Sequence, residues 1–356
     1  MKSANKFSLS IAVSLFFATA ISVNAETPRW LVKPAISPNG QTIAFSYKGE
    51  LFTVSSSGGT AFQLTSNQAY DSNPVWTPDG KRIVFLSNRE GSDDIYITSA
   101  TGGVPTRLTT HSGNEIPLGF LNDSTLLFNA SILPGNNTAR APFLSQIYSL
   151  NINKPGSRPV LFLSVPVNSL NVNSKGEILY QDRKGFEDVL RKHERSSGTS
   201  DIWLYDNGKF QQLTHFNGSD QSPVWGQGNN FYYLSEKDGT LNVFETQVGS
   251  TSEKQLTKFE KHPVRALSAS DNGILAFYWD GDIYTMKPGA QPQKVNIEIN
   301  ADLYDGDLVK QYVNNGVSNI AVSPDGNEVA IVIRGDVYVT NAKYKTTKRI
   351  TNTPSQ

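Results

Sequence analysis

Chemistry in this chain would have to come from four His, no Cys and a scatter of Ser and carboxylates. A hydroxyl nucleophile needs a base within hydrogen-bond reach and a set of oxyanion donors. His111, His193, His215 and His262 lie in widely separated segments, and no Gly-x-Ser-x-Gly elbow occurs. His193-Glu194 lacks the second His that would complete a zinc-protease helix. Asp302-x-x-Asp305-Gly306-Asp307 offers hard oxygen ligands, but without the spacing or closing Glu of a calcium loop it reads as a charged linker. The expectation is no catalytic set, no metal and no cofactor. Arg183 to Arg195 is the densest charged stretch, with Arg183, Lys184, Arg191, Lys192 and Arg195 against Glu187, Asp188 and Glu194.

Composition narrows the class further. Thirty-two basic and 32 acidic side chains cancel, so the field needed to neutralise phosphates is missing and no nucleic-acid partner is expected. Zero Cys removes disulfide scaffolds and thiolate metal sites. Residues 1–25 have the three-part layout of a secretory signal: Lys2 and Lys6, an apolar run from Phe7 to Val23, and Val23-Asn24-Ala25 before Glu26. The product is expected to be periplasmic or secreted, with no membrane span once the signal is removed.

The elements that would position any site form a repeat. Ser37-Pro38-Asn39-Gly40, Thr77-Pro78-Asp79-Gly80 and Ser323-Pro324-Asp325-Gly326 encode tight turns, with degraded forms at Asn173-Ser174-Lys175-Gly176 and Ser270-Asp271-Asn272-Gly273. A triad of a polar, an aliphatic and an aromatic residue recurs seven times. It stands at Glu50-Leu51-Phe52, Asp94-Ile95-Tyr96, Gln146-Ile147-Tyr148, Asp201-Ile202-Trp203, Asn242-Val243-Phe244, Asp282-Ile283-Tyr284 and Asp336-Val337-Tyr338. Several units close in Leu-Thr or Ile-Thr, as at Leu64-Thr65 and Ile350-Thr351. Units of this size with about four strands each predict propeller blades. The triad aromatics are expected between blades rather than in a ligand box.

The fold class is all-β: a six-bladed propeller of four-stranded antiparallel blades over 26–298, a linker over 299–316, and the first blade of a second, truncated propeller over 317–356. One ring of seven blades is the alternative. The loop between second and third strands is longest in blades three and four, placing 134–143 and 183–200 at one rim. This is a lid, a docking surface or an anion anchor, or else a solvated charged loop.

The order of these units, with the Lys184-Gly185-Phe186-Glu187 to Asp201-Ile202-Trp203 segment in the fourth blade, resembles the N-terminal propeller region of tricorn proteases. The blade motifs also resemble the periplasmic propeller of the Tol-Pal system. The tricorn resemblance implies a substrate-filtering and scaffolding propeller of an exported serine peptidase whose nucleophilic core lies in downstream domains. It implies peptides or unfolded polypeptide as partners, contact with those protease domains, and a homo-oligomer. It also implies basic side chains that anchor peptide carboxylates, for which Arg140, Arg183 and Arg191 are candidates. The alternative is a stand-alone propeller that binds a protein partner.

Overall fold

A computed structural model describes residues 28–111, 113–131, 145–154, 156–185, 195–300, 316–333, 335–344 and 346–351. Two compact units divide the chain, Met1–Leu303 and Tyr304–Gln356. Among the described residues there is no α-helix, and seven sheets of four antiparallel strands follow one another along the chain. Six belong to the first unit and are numbered here as blades one to six. Their first strands are Val32–Ile36, Asp71–Trp76, Glu115–Asn122, Val167–Val172, Asp220–Trp225 and Arg265–Ala269.

Local chemistry explains each blade. In the first turn the Ser37 hydroxyl donates to Asn39 Oδ1 at 2.7 Å and accepts from the Thr42 N–H at 3.0 Å, and Gly40 sits at φ 74°. Only glycine takes that conformation without cost. Thr77 with Asp79, Ser323 with Asp325 and Ser270 with Asn272 repeat the hydroxyl contact at 2.6 Å. The degraded Ser270 motif is therefore the same turn.

The Leu-Thr signature is a latch. The Thr65 hydroxyl accepts the Leu51 N–H at 2.9 Å and donates to the Glu50 carboxylate at 2.6 Å. Thr109, Thr214, Thr257 and Thr351 accept from Ile95, Ile202, Val243 and Val337 in the same way. One hydroxyl satisfies a backbone donor and a polar side chain together, which buried groups require. That polar side chain is the triad's own first residue at Glu50, Asn242 and Asp336, whereas Thr109 donates instead to Glu115 at the start of the next blade.

Strand alternation then assembles the ring. In second strands, Ile43 and Phe45 face blade six while Ala44 faces blade two. Ile83 and Phe85 face blade one, and Val84 faces blade three. Period-two side chains thus give each blade two apolar faces. Further seams join blades three and four around Leu127 and Tyr180, four and five around Leu179 and Tyr233, and five and six around Val243 and Phe277. Each fully buried aromatic there contributes roughly 1.5–3 kcal/mol from burial.

The ring closes after six blades. Blade six packs on blade one through Ala276, Ile283, Val295 and Ile297 against Leu31, Ile43, Phe45 and Phe52. Ile297–Glu298 also forms a short parallel pair with Gly59–Thr60 of blade one. On the other side Trp30 and Leu31 donate backbone N–H groups to the Gly281 carbonyl at 2.9 and 3.3 Å.

The second unit holds the seventh sheet, Val317–Val322, Glu328–Ile333, Asp336–Asn341 and Thr347–Arg349. Its first strand is exposed throughout, with Ile320 at 68% and Val322 at 62%. The linker residues 301–315, which include Asp302, Asp305 and Asp307, lie outside the described residues, as does the signal segment 1–27.

Candidate functional site

The six first strands form the innermost layer, and each neighbours the first strand of the blade before and after it. They surround the axis of the ring. Four of them carry a residue other than glycine in the left-handed region: Lys33 at φ 56°, Asn73 at 50°, Ser222 at 50° and Ala266 at 53°. Pairing with the second strand breaks register at each: Val32 to Ala35, Ser72 to Val75, Gln221 to Val224 and Arg265 to Ser268. Such bulges re-aim side chains and concentrate beside functional surfaces.

Ionisable groups on these inner strands separate into two sets. Asp71, Glu115 and Asp220 each open their strand, are fully buried and turn into the seams between blades. Asp71 is paired with Arg89, whose Nη2 lies 3.1 and 2.9 Å from its two oxygens, and accepts from Asn67 at 2.8 Å. The guanidinium lies over the Tyr96 ring at 4.6 Å. Among the described residues no cation pairs with Glu115, and the nearby Arg107 is engaged by Asp94 at 2.8 Å. Burial, with the neighbouring Asp94 carboxylate, pushes its carboxyl up to about 7 against the Thr109 hydrogen bond. Its Oε1 and the Oδ1 of Asp94 are both buried without partners. Burial likewise raises Asp220 to about 6, opposed by Lys237 and aided by Asp201.

Lys33 and Arg265 are the remaining charges of the inner strands. Lys33 is exposed and Arg265 half-buried. The enclosing wall lowers the Lys33 pKa, and Arg265 lowers it further. Arg265 is itself lowered by its surroundings. Trp30 is 68% and Tyr70 56% exposed, each three residues before a left-handed position. The Tyr70 ring covers Gly49, where an added β-carbon would approach it to 3.1 Å.

Of the three arginines singled out from the sequence, Arg183 is half-buried, with its Nε 3.4 Å from the Gly185 carbonyl and its backbone N–H 3.1 Å from the Pro166 carbonyl. Arg140 and Arg191 lie outside the described residues, as do 132–144 and 186–194 of the two long rim loops. The triad aromatics Tyr96, Trp203 and Tyr284 stand in inter-blade clusters as expected. His111 Nδ1 accepts from the Gly113 N–H at 2.9 Å, and His262 lies against Trp279 and 3.4 Å from Asp280. Among the described residues no three His, Asp or Glu side chains converge as metal ligands.

Sequence reasoning missed Lys33 and Arg265. A usable signal was present: Lys33-Pro34 stands where other blades have Asn73-Pro74 and Ser222-Pro223. A charged residue there is the exception.

The family model for the tricorn protease N-terminal beta propeller domain matches residues 28–292, which is the six-blade ring just described. The chain belongs to this family. The tricorn-type propeller here is 21% identical over 315 residues to tricorn protease homolog 1 of Streptomyces coelicolor, covering 85% of this chain and 28% of that protein. It is 25% identical over 328 residues to the tricorn protease of Thermoplasma acidophilum, covering 88% and 29%. It thus spans under a third of the curated relatives it matches. The crystal structure of the tricorn protease aligns at TM-score 0.66 and 20% identity, over 92% of this chain and 32% of that one. TolB from Acinetobacter baumannii aligns at TM-score 0.51 and 17% identity, over 74% and 64%, a likeness of fold alone.

Proposed function

We propose that this chain is the peptide-filtering and scaffolding propeller of an exported tricorn-type serine peptidase, in which other domains perform hydrolysis. The observation that carries this reading is the closed ring of six inner strands, in a chain of the tricorn propeller family. On this reading an extended peptide fits along the axis of the ring and a folded domain does not. The ring's inner strands are held by six apolar seams between neighbouring blades, which fixes their spacing by packing.

Peptides or unfolded polypeptide are the substrates of this reading, and the peptidase domains and further copies of the chain are its partners. The Lys2 and Lys6 start with the apolar run to Val23 supports export, with Glu26 as the first mature residue. Among the described residues no helix is long and apolar enough to cross a membrane.

The test compares the peptidase containing this propeller with a version lacking it. Hydrolysis of the shortest peptides should persist in both. Discrimination between an unfolded chain and the same chain folded should fall once the propeller is removed. Equal discrimination by both would overturn the filter, and robust cleavage of peptides by this chain alone would overturn its non-catalytic role. N-terminal sequencing of exported protein checks the start at Glu26.

A further inference from the structure

Blade five repeats a polar row of blade two with one partner changed. In blade two, Asp71, Ser87 and Asp94 stand opposite one another on the first, second and third strands. Directly opposed residues share a face of the sheet. Arg89, two residues past Ser87, folds back over that row. Its Nε donates to the Ser87 hydroxyl at 2.9 Å, and its Nη2 lies 3.1 and 2.9 Å from the two Asp71 oxygens. The guanidinium thus neutralises the buried carboxylate.

In blade five the row is Asp220, Ser235 and Asn242. Lys237 stands where Arg89 does, two residues past Ser235, but its ammonium goes elsewhere. It donates to the Glu253 carboxylate on the fourth strand and to the Tyr233 hydroxyl, among the rings of Phe216, Tyr233 and Phe244. Asn242 is engaged by Thr257, Thr240 and Phe259. Asp220 and Ser235 are both 0% exposed. Among the described residues neither Asp220 oxygen nor the Ser235 hydroxyl has a hydrogen-bond partner. Nearby Asp201 is held by Lys184 at 2.5 Å and adds negative field rather than a donor. A buried carboxylate in this state is costly unless it is paired. The charge count selects the pairing group. A monovalent cation balances one carboxylate, whereas a divalent ion would leave net positive charge in the same dry seam. An all-oxygen seat suits a hard ion, and full burial admits only a small one.

We propose that Asp220 and Ser235 form a seat for a small monovalent cation of the sodium class, which fastens the first strand of blade five to blade four. That strand already meets blade four at this point: the Asp220 N–H donates to the Ser200 carbonyl at 2.9 Å, and the Ser200 hydroxyl donates to the Asp220 carbonyl at 3.1 Å. The ion does here what the Arg89 guanidinium does beside Asp71.

The experiment is thermal unfolding of the whole chain as choline chloride is replaced by sodium chloride at fixed ionic strength. Choline is too large to enter a fully buried seat. Sodium at about ten times its dissociation constant should raise the midpoint by about 3 °C. Asp220→Asn should abolish that rise. It should also unfold no earlier than the wild type in choline, because it removes an uncompensated buried charge. Ser235→Ala keeps the carboxylate and removes one ligand, so it should fold and should move the sodium dependence to severalfold higher concentration. If Asp220→Asn does not fold, Ser235→Ala carries the test. An equal midpoint in sodium and choline overturns the proposal and leaves water or Lys237 as the partner of Asp220. So does a rise retained in Asp220→Asn, or a sodium dependence that Ser235→Ala leaves in place.

Discussion

Replacing Glu115 by Gln should remove most of one pH dependence from the fold, because among the described residues no cation pairs with this carboxylate. Glu115 opens the first strand of blade three and is fully buried. One oxygen accepts the Thr109 hydroxyl at 3.0 Å, while the other faces the seam unpartnered, as does Asp94 Oδ1. Burial and Asp94 lift its carboxyl from the ordinary 4.5 to about 7. A raised folded-state pKa means the native protein holds this proton more tightly than the unfolded chain does. Its stabilising contribution is complete below about 4.5 and is lost as pH rises through about 7. At about 1.4 kcal/mol per pH unit, that span is worth about 3 kcal/mol. Gln cannot ionise; its carbonyl can keep the Thr109 contact and its amide can donate to Asp94. Urea unfolding across roughly pH 4.5 to pH 8 should therefore show Glu115→Gln gaining on the wild type by about 3 kcal/mol. Asp220 remains in both proteins and cancels in the difference. Parallel stability curves for the two proteins would refute the reasoning.

Other perturbations read other parts of the ring. Thr65→Val strips the latch from the Leu51 N–H and the Glu50 carboxylate, and should cost about 2–3 kcal/mol in urea unfolding. Arg89→Leu leaves the fully buried Asp71 unpaired and should cost about 3–5 kcal/mol, with Asp71→Asn in the same chain recovering much of it. At Gly58, φ is 93° and an added β-carbon would lie 2.6 Å from the Asn296 carbonyl oxygen. Gly58→Ala should therefore loosen the parallel pair and cost about 1–3 kcal/mol, with hydrogen exchange rising first at Gly59 and Ala61.

The parts of this fold written in the sequence are those that depend on local chemistry. Turn residues, the strand alternation and the seven triads are each set by neighbours within a few positions, so Ser37 to Gly40 or Asp94 to Tyr96 can be read directly. The long loops of blades three and four also announce themselves by length, but length gives a rim and not a geometry. The seam carboxylates were hidden for the opposite reason. Glu115 looks like a surface residue after a Leu-Thr turn until the strand start places it against Asp94. Local pattern reveals blades; only their assembly reveals which charges share a wall.

The closing seam also decides how the first unit carries mechanical load. Chain entering it is tied at Trp30 and Leu31 to Gly281 of blade six, and chain leaving it is tied at Ile297 and Glu298 to Gly59 and Thr60 of blade one. Both ends are thus cross-tied at one junction, each to the blade opposite its own. Tension drawn through the segment beyond Glu298 reaches this short pair before it reaches any four-stranded sheet. The junction is expected to part first under pull, and force spectroscopy in which a blade's own hydrogen-bonded ladder opened before it would refute that order.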